Sequence, residues 1–191
     1  GAGSGKTQKV IEDAIEVIKA GGRVLVVTYT MNNQAELRSR FVELYGKHSD
    51  DFVVKGLFSF YLEDLVRPYQ TAMFPERITS TMFTEHNPHL IPGTRKWHPK
   101  RGEKINGALN PLHYLTPCKT KAYTGLLAKL ATRISASTKN APASRLKEIY
   151  QRIFFDEVQD LVGWDFDVIK ALSKAMHNSI CCVGDFRQTI Y

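Results

Sequence analysis

The 191 residues include 43% hydrophobic and 24% charged side chains, the balance of a globular domain with one sizeable core. No run of about 18 apolar residues is present, so the sequence predicts no membrane-spanning helix and no membrane partner. The net charge of +7 is uneven, because residues 66–150 contain 14 Lys and Arg against 4 Asp and Glu, and the other residues contain 12 against 15. A basic middle segment therefore interrupts a more acidic chain.

The chain begins with a glycine-rich sequence, which consists of Gly1, Ala2, Gly3, Ser4, Gly5, Lys6 and Thr7. Closely spaced glycines let backbone N–H groups converge on phosphate oxygens without side-chain clashes. Lys6 can then reach the β- and γ-phosphates, and the Thr7 hydroxyl can ligate Mg²⁺. We therefore predict a P-loop that binds ATP or GTP. Since such a loop normally follows a buried strand, we expect the chain to be cut at its N-terminus.

Strands and helices then alternate along the chain. Predicted helices cover residues 8–20, 33–45, 58–66 and 166–176, and predicted strands cover residues 23–28, 52–54, 153–155 and 179–183. Strands separated by helices predict a parallel α/β sheet covered on both faces. Cys118, Cys181 and Cys182 lack the spacing of zinc ligands, and we expect buried, reduced thiols.

The basic segment differs from its flanks in composition, because it contains eight prolines and shows little hydrophobic periodicity before about residue 123. The sequence predicts three parts: residues 1–65 as the first part of the α/β domain, 66–150 as a basic, partly helical insertion, and 151–191 as the second part. Residues 139–144, which are small and polar, are the predicted return linker.

Two acidic residues, Asp156 and Glu157, directly follow the apolar strand at 153–155. The carboxyl end of a parallel strand is where ligands of α/β sheets bind. The first acid can support Mg²⁺, and the second can orient or deprotonate an attacking water. A pair of solvated acids at a strand end is the alternative, and the P-loop earlier in the chain disfavours it.

The last predicted strand leads to Gly184, Asp185, Phe186, Arg187, Gln188, Thr189, Ile190 and Tyr191. At this point the sequences GAGSGKT, DEVQD and GDFRQTIY resemble motifs I, II and III of superfamily 1 helicases of the UvrD/Rep type. Residues 26–40, VVTYTMNNQAELRSR, resemble motif Ia of the same family. The resemblance implies a RecA-like P-loop NTPase fold, a parallel sheet flanked by helices, with ATP and Mg²⁺ as cofactors.

The resemblance also implies roles for individual residues. Residues 1–7 would bind the nucleotide, Thr7 and Asp156 would hold Mg²⁺, Glu157 would be the catalytic base, and Gln188 would couple the γ-phosphate to DNA. The residues implied to contact single-stranded DNA are Thr28, Tyr29, Thr30, Phe58 and Tyr191. For Tyr29 and Tyr191 a place in the core is the alternative. Met31 departs from the family, which often has Asn there.

Within the insertion, Arg95, Lys96, Lys100 and Arg101 surround Trp97 and combine phosphate-seeking charge with an aromatic ring. In the family an insertion at this point lies near the DNA duplex, so we expect these residues to contact DNA at a junction. A solvated basic loop is the alternative.

The resemblance implies an intracellular, nucleoid-associated DNA helicase or translocase driven by ATP. A second RecA-like domain, whose arginines complete ATP hydrolysis in the family, and a Gln segment before the P-loop would lie outside these residues. A nuclease or repair partner is a further expectation. A loader within a defence or repair complex and a nucleotide-dependent DNA-binding switch without unwinding activity stay open as alternatives.

Overall fold

A computed structural model describes residues 4–184 of the chain. Within this range the α-helices are α1 Ser4–Lys19, α2 Met31–Tyr45, α3 Leu57–Phe60, α4 Pro111–Tyr114, α5 Thr124–Ser137, α6 Ala141–Ile149 and α7 Trp164–Ala175. The strands are β1 Val24–Thr28, β2 Phe52–Gly56, β3 Ser80–Met82, β4 Lys104–Ile105, β5 Ala108–Leu109, β6 Lys121–Tyr123, β7 Arg152–Phe155 and β8 Ile180–Cys182. A π-helix covers Tyr61–Val66, and 3₁₀ turns cover Arg67–Ala72, Pro99–Arg101 and Val158–Asp160. No described helix is long and apolar enough to cross a membrane.

The chain divides into two compact units. The first unit contains residues 1–60 and 143–191, and the second unit contains residues 61–142. These bounds lie a few residues before the predicted limits of the insertion, 66 and 150, because the π-helix packs against α5 within the second unit. Residues 61–142 hold 12 basic and 5 acidic side chains, which gives the second unit the whole net charge of +7.

The first unit is built on a four-stranded sheet in the order β2, β1, β7, β8, and every pairing is parallel. Val26 in the centre of β1 pairs with Val54 of β2 and with Phe154 of β7. All five residues of β1 are buried, as the continuous apolar run predicted. The predicted α/β class with a parallel sheet flanked by helices is confirmed.

Helices α1 and α2 cover one face of this sheet. Their apolar residues, spaced at three and four, form a core with alternate residues of the strands; the cluster includes Val10, Ile11, Ala14, Val24, Val26, Leu37, Phe41, Phe52, Val54 and Phe154. On the other face, the rings of Phe60 and Phe155 meet edge to face with centroids 5.7 Å apart. The packing therefore fixes α1, whose first turn carries Lys6 and Thr7, against the sheet.

A left-handed glycine ends α2, and a turn at positive φ precedes α6 where the chain returns from the insertion. Gly46 ends α2 with φ of 86°, a left-handed conformation that glycine adopts without strain. The chain returns from the second unit to the first between Pro142 and Ala143, within the predicted return linker at 139–144, and α6 already begins at Ala141 inside that segment. Pro142 stands in the first turn, where its missing N–H costs no helical hydrogen bond. The actual turn is Lys139 and Asn140, both at positive φ.

The second unit has its own apolar core, in which the π-helix packs against α5. The core includes Tyr61, Leu65, Val66, Ile78, Tyr114, Leu115, Leu127, Leu130 and Ile134. Strands β3 and β6 pair in parallel, and β4 and β5 form a hairpin. Asn106 and Gly107, at φ of 51° and 81°, make the two-residue turn of that hairpin.

A charged network lies at the side of this core. The Glu103 carboxylate accepts hydrogen bonds from Lys129 Nζ, Arg133 Nε and Tyr114 Oη, each at 2.8 Å. Partial burial alone would raise the pKa of Glu103, but these three donors outweigh it and lower the pKa to about 2. Glu103 is therefore ionised at neutral pH and ties the loop after Pro99–Arg101 to α4 and α5.

The prediction of three buried cysteines is wrong for two of them. Cys182 is exposed because β8 is an outer strand of the described sheet, and Cys118 is exposed because it lies in the turn between Thr116 and Lys121. Cys181 is partly buried against the core of the first unit.

Candidate functional site

The amino end of α1 carries the described part of the glycine-rich sequence. Lys6 is exposed and Thr7 is half-buried in the first turn of this helix. The first four N–H groups of an α-helix have no partner within it, and the helix dipole places partial positive charge there. This end is therefore suited to bind an anion such as phosphate. Gly1, Ala2 and Gly3 lie outside the described residues.

Asp156 directly follows β7 at the carboxyl edge of the sheet. Its backbone N–H donates to the carbonyl of Val27 at 2.9 Å, which continues the β1–β7 pairing by one residue. Burial raises the pKa of Asp156, and the carboxylate of Glu36 adds to this effect. A backbone hydrogen bond from Glu157 and the ammonium group of Lys6 oppose the rise. Helix α1, which carries Lys6, packs against β7 through the shared core of Val10, Ile11 and Phe154. The fold thus brings together two predicted site residues from opposite ends of the chain.

Glu157 has a left-handed backbone, with φ of 59° and ψ of 42°. A residue other than glycine costs of order 1 kcal/mol in this region, and such strain is concentrated at functional sites. Burial and the nearby carboxylates of Asp156 and Asp160 raise the pKa of Glu157. The Gln159 side chain opposes the rise by donating from Nε2 to Glu157 Oε2 at 3.2 Å. A carboxylate with a raised pKa is a better proton acceptor, which suits a general base.

The turn from β1 into α2 contains three predicted DNA contacts in three environments. Thr28 is 1% exposed, and its hydroxyl has no hydrogen-bond partner among the described residues. The Thr30 hydroxyl caps α2 by accepting from the Asn33 N–H at 3.2 Å, so this side chain already has a structural role. Tyr29 is 45% exposed.

The Tyr29 ring contacts Phe58, which follows β2 at the same edge of the sheet. The two centroids are 5.8 Å apart at an interplanar angle of 64°. The neighbouring Met31 is 83% exposed. Aromatic and apolar surface is therefore presented at the ends of two adjacent strands, where a flat ligand can stack.

Three features of this edge escaped the sequence reasoning. Glu36 on α2 affects Asp156, and Gln159 contacts Glu157. A Cβ on Gly184 would lie 2.5 Å from Gln159 Oε1 and 2.7 Å from Val158 Cγ2, so only glycine fits there. The glycine of the VGD sequence was the available signal for this close approach. Gln188 and Tyr191, which follow Gly184, lie outside the described residues.

The predicted basic contacts of the second unit fall into two groups. Arg95, Lys96 and Lys100 are exposed. In contrast, Arg101 Nη1 donates to the carbonyls of Leu112 at 2.7 Å and Leu115 at 3.0 Å, and its guanidinium lies over the Tyr123 ring. Arg101 thus stabilises the second unit from within.

The residues at the sheet edge fit a nucleotide carrying Mg²⁺. Asp156 and Thr7 supply oxygen ligands, and the unpartnered Thr28 hydroxyl is one more polar atom at this edge. Mg²⁺ is usually bound by one or two protein oxygens together with substrate phosphates. Accordingly, the described residues contain no group of three or more His, Cys, Asp or Glu arranged to hold a metal alone.

Comparison with protein families gives a match over most of the chain. A family model described as "UvrD/REP helicase N-terminal domain" matches residues 1–96 and 113–191. A search among curated proteins returned no match. The family match covers every motif named above and leaves out residues 97–112.

Proposed function

The chain belongs to the UvrD/REP helicase family, and from this premise we propose that its first unit binds ATP with Mg²⁺ and hydrolyses it to drive movement along DNA. The observation that carries the proposal is the packing of α1, whose first turn carries Lys6, against β7, which ends directly before Asp156. Phosphate-binding and metal-binding groups from distant parts of the sequence meet at one edge of the sheet.

Each residue then has a specific task. Lys6 and the N–H groups at the start of α1 neutralise the β- and γ-phosphates. Thr7 and Asp156 would hold Mg²⁺, which would supply positive charge to stabilise the transferred phosphoryl group. Glu157 accepts a proton from the water that attacks the γ-phosphorus, while the bond to the bridging oxygen of ADP breaks. Gln159, through its hydrogen bond, keeps the Glu157 carboxylate in place.

The proposed DNA path crosses the same edge of the sheet. Tyr29 and Phe58 offer ring surface for bases, since stacking tolerates any sequence. In the proposal, Tyr191 and Gln188 belong to this site because they lie in motif III. Thr28 and Thr30 belong to it because they lie in motif Ia. A second RecA-like domain of the same protein would add the arginines that complete hydrolysis. DNA as substrate implies action in the cytoplasm, at the nucleoid.

Glu157→Gln tests the chemical step. The variant should still bind ATP, because the amide retains the shape of the carboxylate, but ATP turnover with DNA present should fall by about 10²- to 10⁴-fold. ATP binding is measured by titration of a fluorescent ATP analogue, and turnover by phosphate release. Glu148→Gln, the same change at an exposed position of α6, is the matched control and should hydrolyse ATP normally. Loss of ATP binding in Glu157→Gln would contradict the proposed base.

Strand displacement tests the coupling of ATP hydrolysis to movement. With the proposed second RecA-like domain present in the protein, a partial duplex with a single-stranded tail should be separated when ATP is added, and Lys6→Ala should abolish this. ATP turnover stimulated by DNA without strand displacement or translocation would favour the DNA-binding switch instead.

A further inference from the structure

A short hairpin in the second unit presents the exposed tryptophan of the basic segment. Leu90 and Trp97 form an antiparallel bridge, flanked by hydrogen bonds from Ile91 N to Lys96 O at 2.9 Å and from His98 N to His89 O at 2.7 Å. Gly93, at φ of 73°, and the Thr94 hydroxyl, which accepts from the Lys96 N–H, shape the turn. Main-chain hydrogen bonds therefore fix the backbone on both sides of Trp97.

The Trp97 side chain is the outer ring of a stack. It lies on His89 with centroids 5.2 Å apart at 17°, and His89 lies on His113 with centroids 4.1 Å apart at 16°. Both histidines are 5% exposed, and Trp97 is 60% exposed. The inner rings are held by hydrogen bonds from His89 Nε2 to the His113 carbonyl at 2.9 Å and between His113 Nε2 and Lys129 Nζ at 3.1 Å. One face of the indole is thus supported by buried rings, and its other face is open to a further planar group.

The cationic side chains next to the Trp97 ring are not neutralised by ion pairs within the described part of the chain. Among the described residues, Arg95, Lys96 and Lys100 make no ion pair. Two acids of the second unit are already neutralised, Glu76 by Lys119 and Glu103 by Lys129 and Arg133. A planar face with uncompensated positive charge beside it is complementary to a base and its flanking phosphates.

We propose that Trp97 stacks on an unpaired base of DNA, with Arg95, Lys96 and Lys100 contacting the phosphates on either side of that base. The choice of DNA rests on the proposed function; the stacking follows from the open indole face. An unpaired base exposes its whole face, whereas a base within a duplex is covered by its neighbours. Trp97 and Lys100 lie in the segment 97–112, which the family match does not cover, so the match itself does not supply this contact.

Tryptophan fluorescence of the 191-residue chain provides the test, because these residues contain two tryptophans, Trp97 and Trp164. Trp164→Phe leaves Trp97 as the reporter, and Trp97→Phe leaves Trp164 as the matched control. Each variant is titrated with a thymidine oligonucleotide, with an abasic oligonucleotide of the same length, and with a blunt closed DNA hairpin. Affinities of the unaltered chain and of Trp97→Ala are measured by anisotropy of a labelled oligonucleotide, without ATP.

We expect the thymidine oligonucleotide to quench Trp97 and the abasic oligonucleotide not to do so. Trp97→Ala should weaken binding of the thymidine oligonucleotide roughly 5- to 150-fold, and Trp97→Phe should weaken it less. Binding of the abasic oligonucleotide should be the same in all variants. Circular dichroism should be unchanged, since the Trp97 ring is mostly exposed.

Equal affinity of the unaltered chain and Trp97→Ala for the thymidine oligonucleotide would overturn the inference, as would equal quenching of Trp97 by the abasic oligonucleotide or by the closed hairpin. These results would leave strand displacement intact and refute only the stacking contact. Absence of ATP turnover and of strand displacement, with quenching of Trp97 retained, would instead refute the proposed motor and leave the contact standing.

Discussion

Replacement of Glu103 by Gln tests the network that holds the second unit together. Glu103 accepts from Lys129, Arg133 and Tyr114, and its pKa is lowered from 4.5 to about 2. At about 1.4 kcal/mol for each pKa unit, this difference corresponds to about 3 kcal/mol. Because the Glu103 side chain is 27% exposed, solvent screening reduces the expected loss to about 2 kcal/mol at pH 7.

The pH dependence follows from the direction of the pKa change. A carboxyl group whose pKa is lower in the folded state stabilises the fold fully above its unfolded pKa, near 4.5. This contribution is lost as the pH falls from about 4.5 towards about 2. The free energy of unfolding should therefore differ by a constant amount between the two proteins from pH 7 to about 5, and the difference should shrink at lower pH.

The assay is urea denaturation at a series of pH values, followed by the fluorescence of Trp97 in a Trp164→Phe background, so that the signal reports the second unit. Glu85→Gln is the matched control, because Glu85 is exposed and makes no ion pair in the described range. It should change the free energy of unfolding by less than about 0.5 kcal/mol. Equal stability of Glu103→Gln and the unaltered chain at pH 7, or a difference that does not vary with pH, would refute the reasoning.

Substitutions at four other positions separate structural from DNA-binding roles. Thr30→Ala should lower the free energy of unfolding by about 1 kcal/mol and Thr30→Ser should restore it, because the hydroxyl caps α2; a loss of DNA affinity without any loss of stability would contradict the cap. Thr28→Val should be neutral or stabilising in thermal unfolding, since it removes a buried hydroxyl without a partner; a loss above about 1 kcal/mol would contradict this. Arg101→Ala should destabilise the second unit by about 2 kcal/mol, whereas Lys100→Ala should preserve stability and reduce the salt dependence of single-strand binding by about 0.7 in log–log slope. Reversed effects of these last two would contradict their assignment.

The sheet of the first unit could be predicted because its signals are local. The apolar run at 24–28, the turn at Gly46 and the acids after residue 155 each depend on residues close in sequence. The place of the return linker could be predicted, but not the beginning of α6 within it, because small residues and a proline fit either a loop or a first helical turn.

The second unit could be predicted less well because its contacts join distant residues. Glu103 meets Lys129 and Arg133 only after the core has formed, and no pattern in the sequence marks them as partners. The charged neighbours of Trp97 are visible in the sequence. The ring stack beneath Trp97 is not, because it depends on His89 and on the hairpin. The sequence predicts the same DNA-contacting role for Arg101 as for Arg95, Lys96 and Lys100. No sequence pattern indicates the hydrogen bonds that hold Arg101 inside the second unit.

The order of strands in the first sheet has a consequence for synthesis. β1 pairs with β7, and residues 29–151 separate the two strands in the chain. A ribosome must therefore complete the second unit before β7 emerges, and until then one edge of the apolar strand β1 has no partner. Chains that stall or are cleaved after residue 142 expose this edge to other chains.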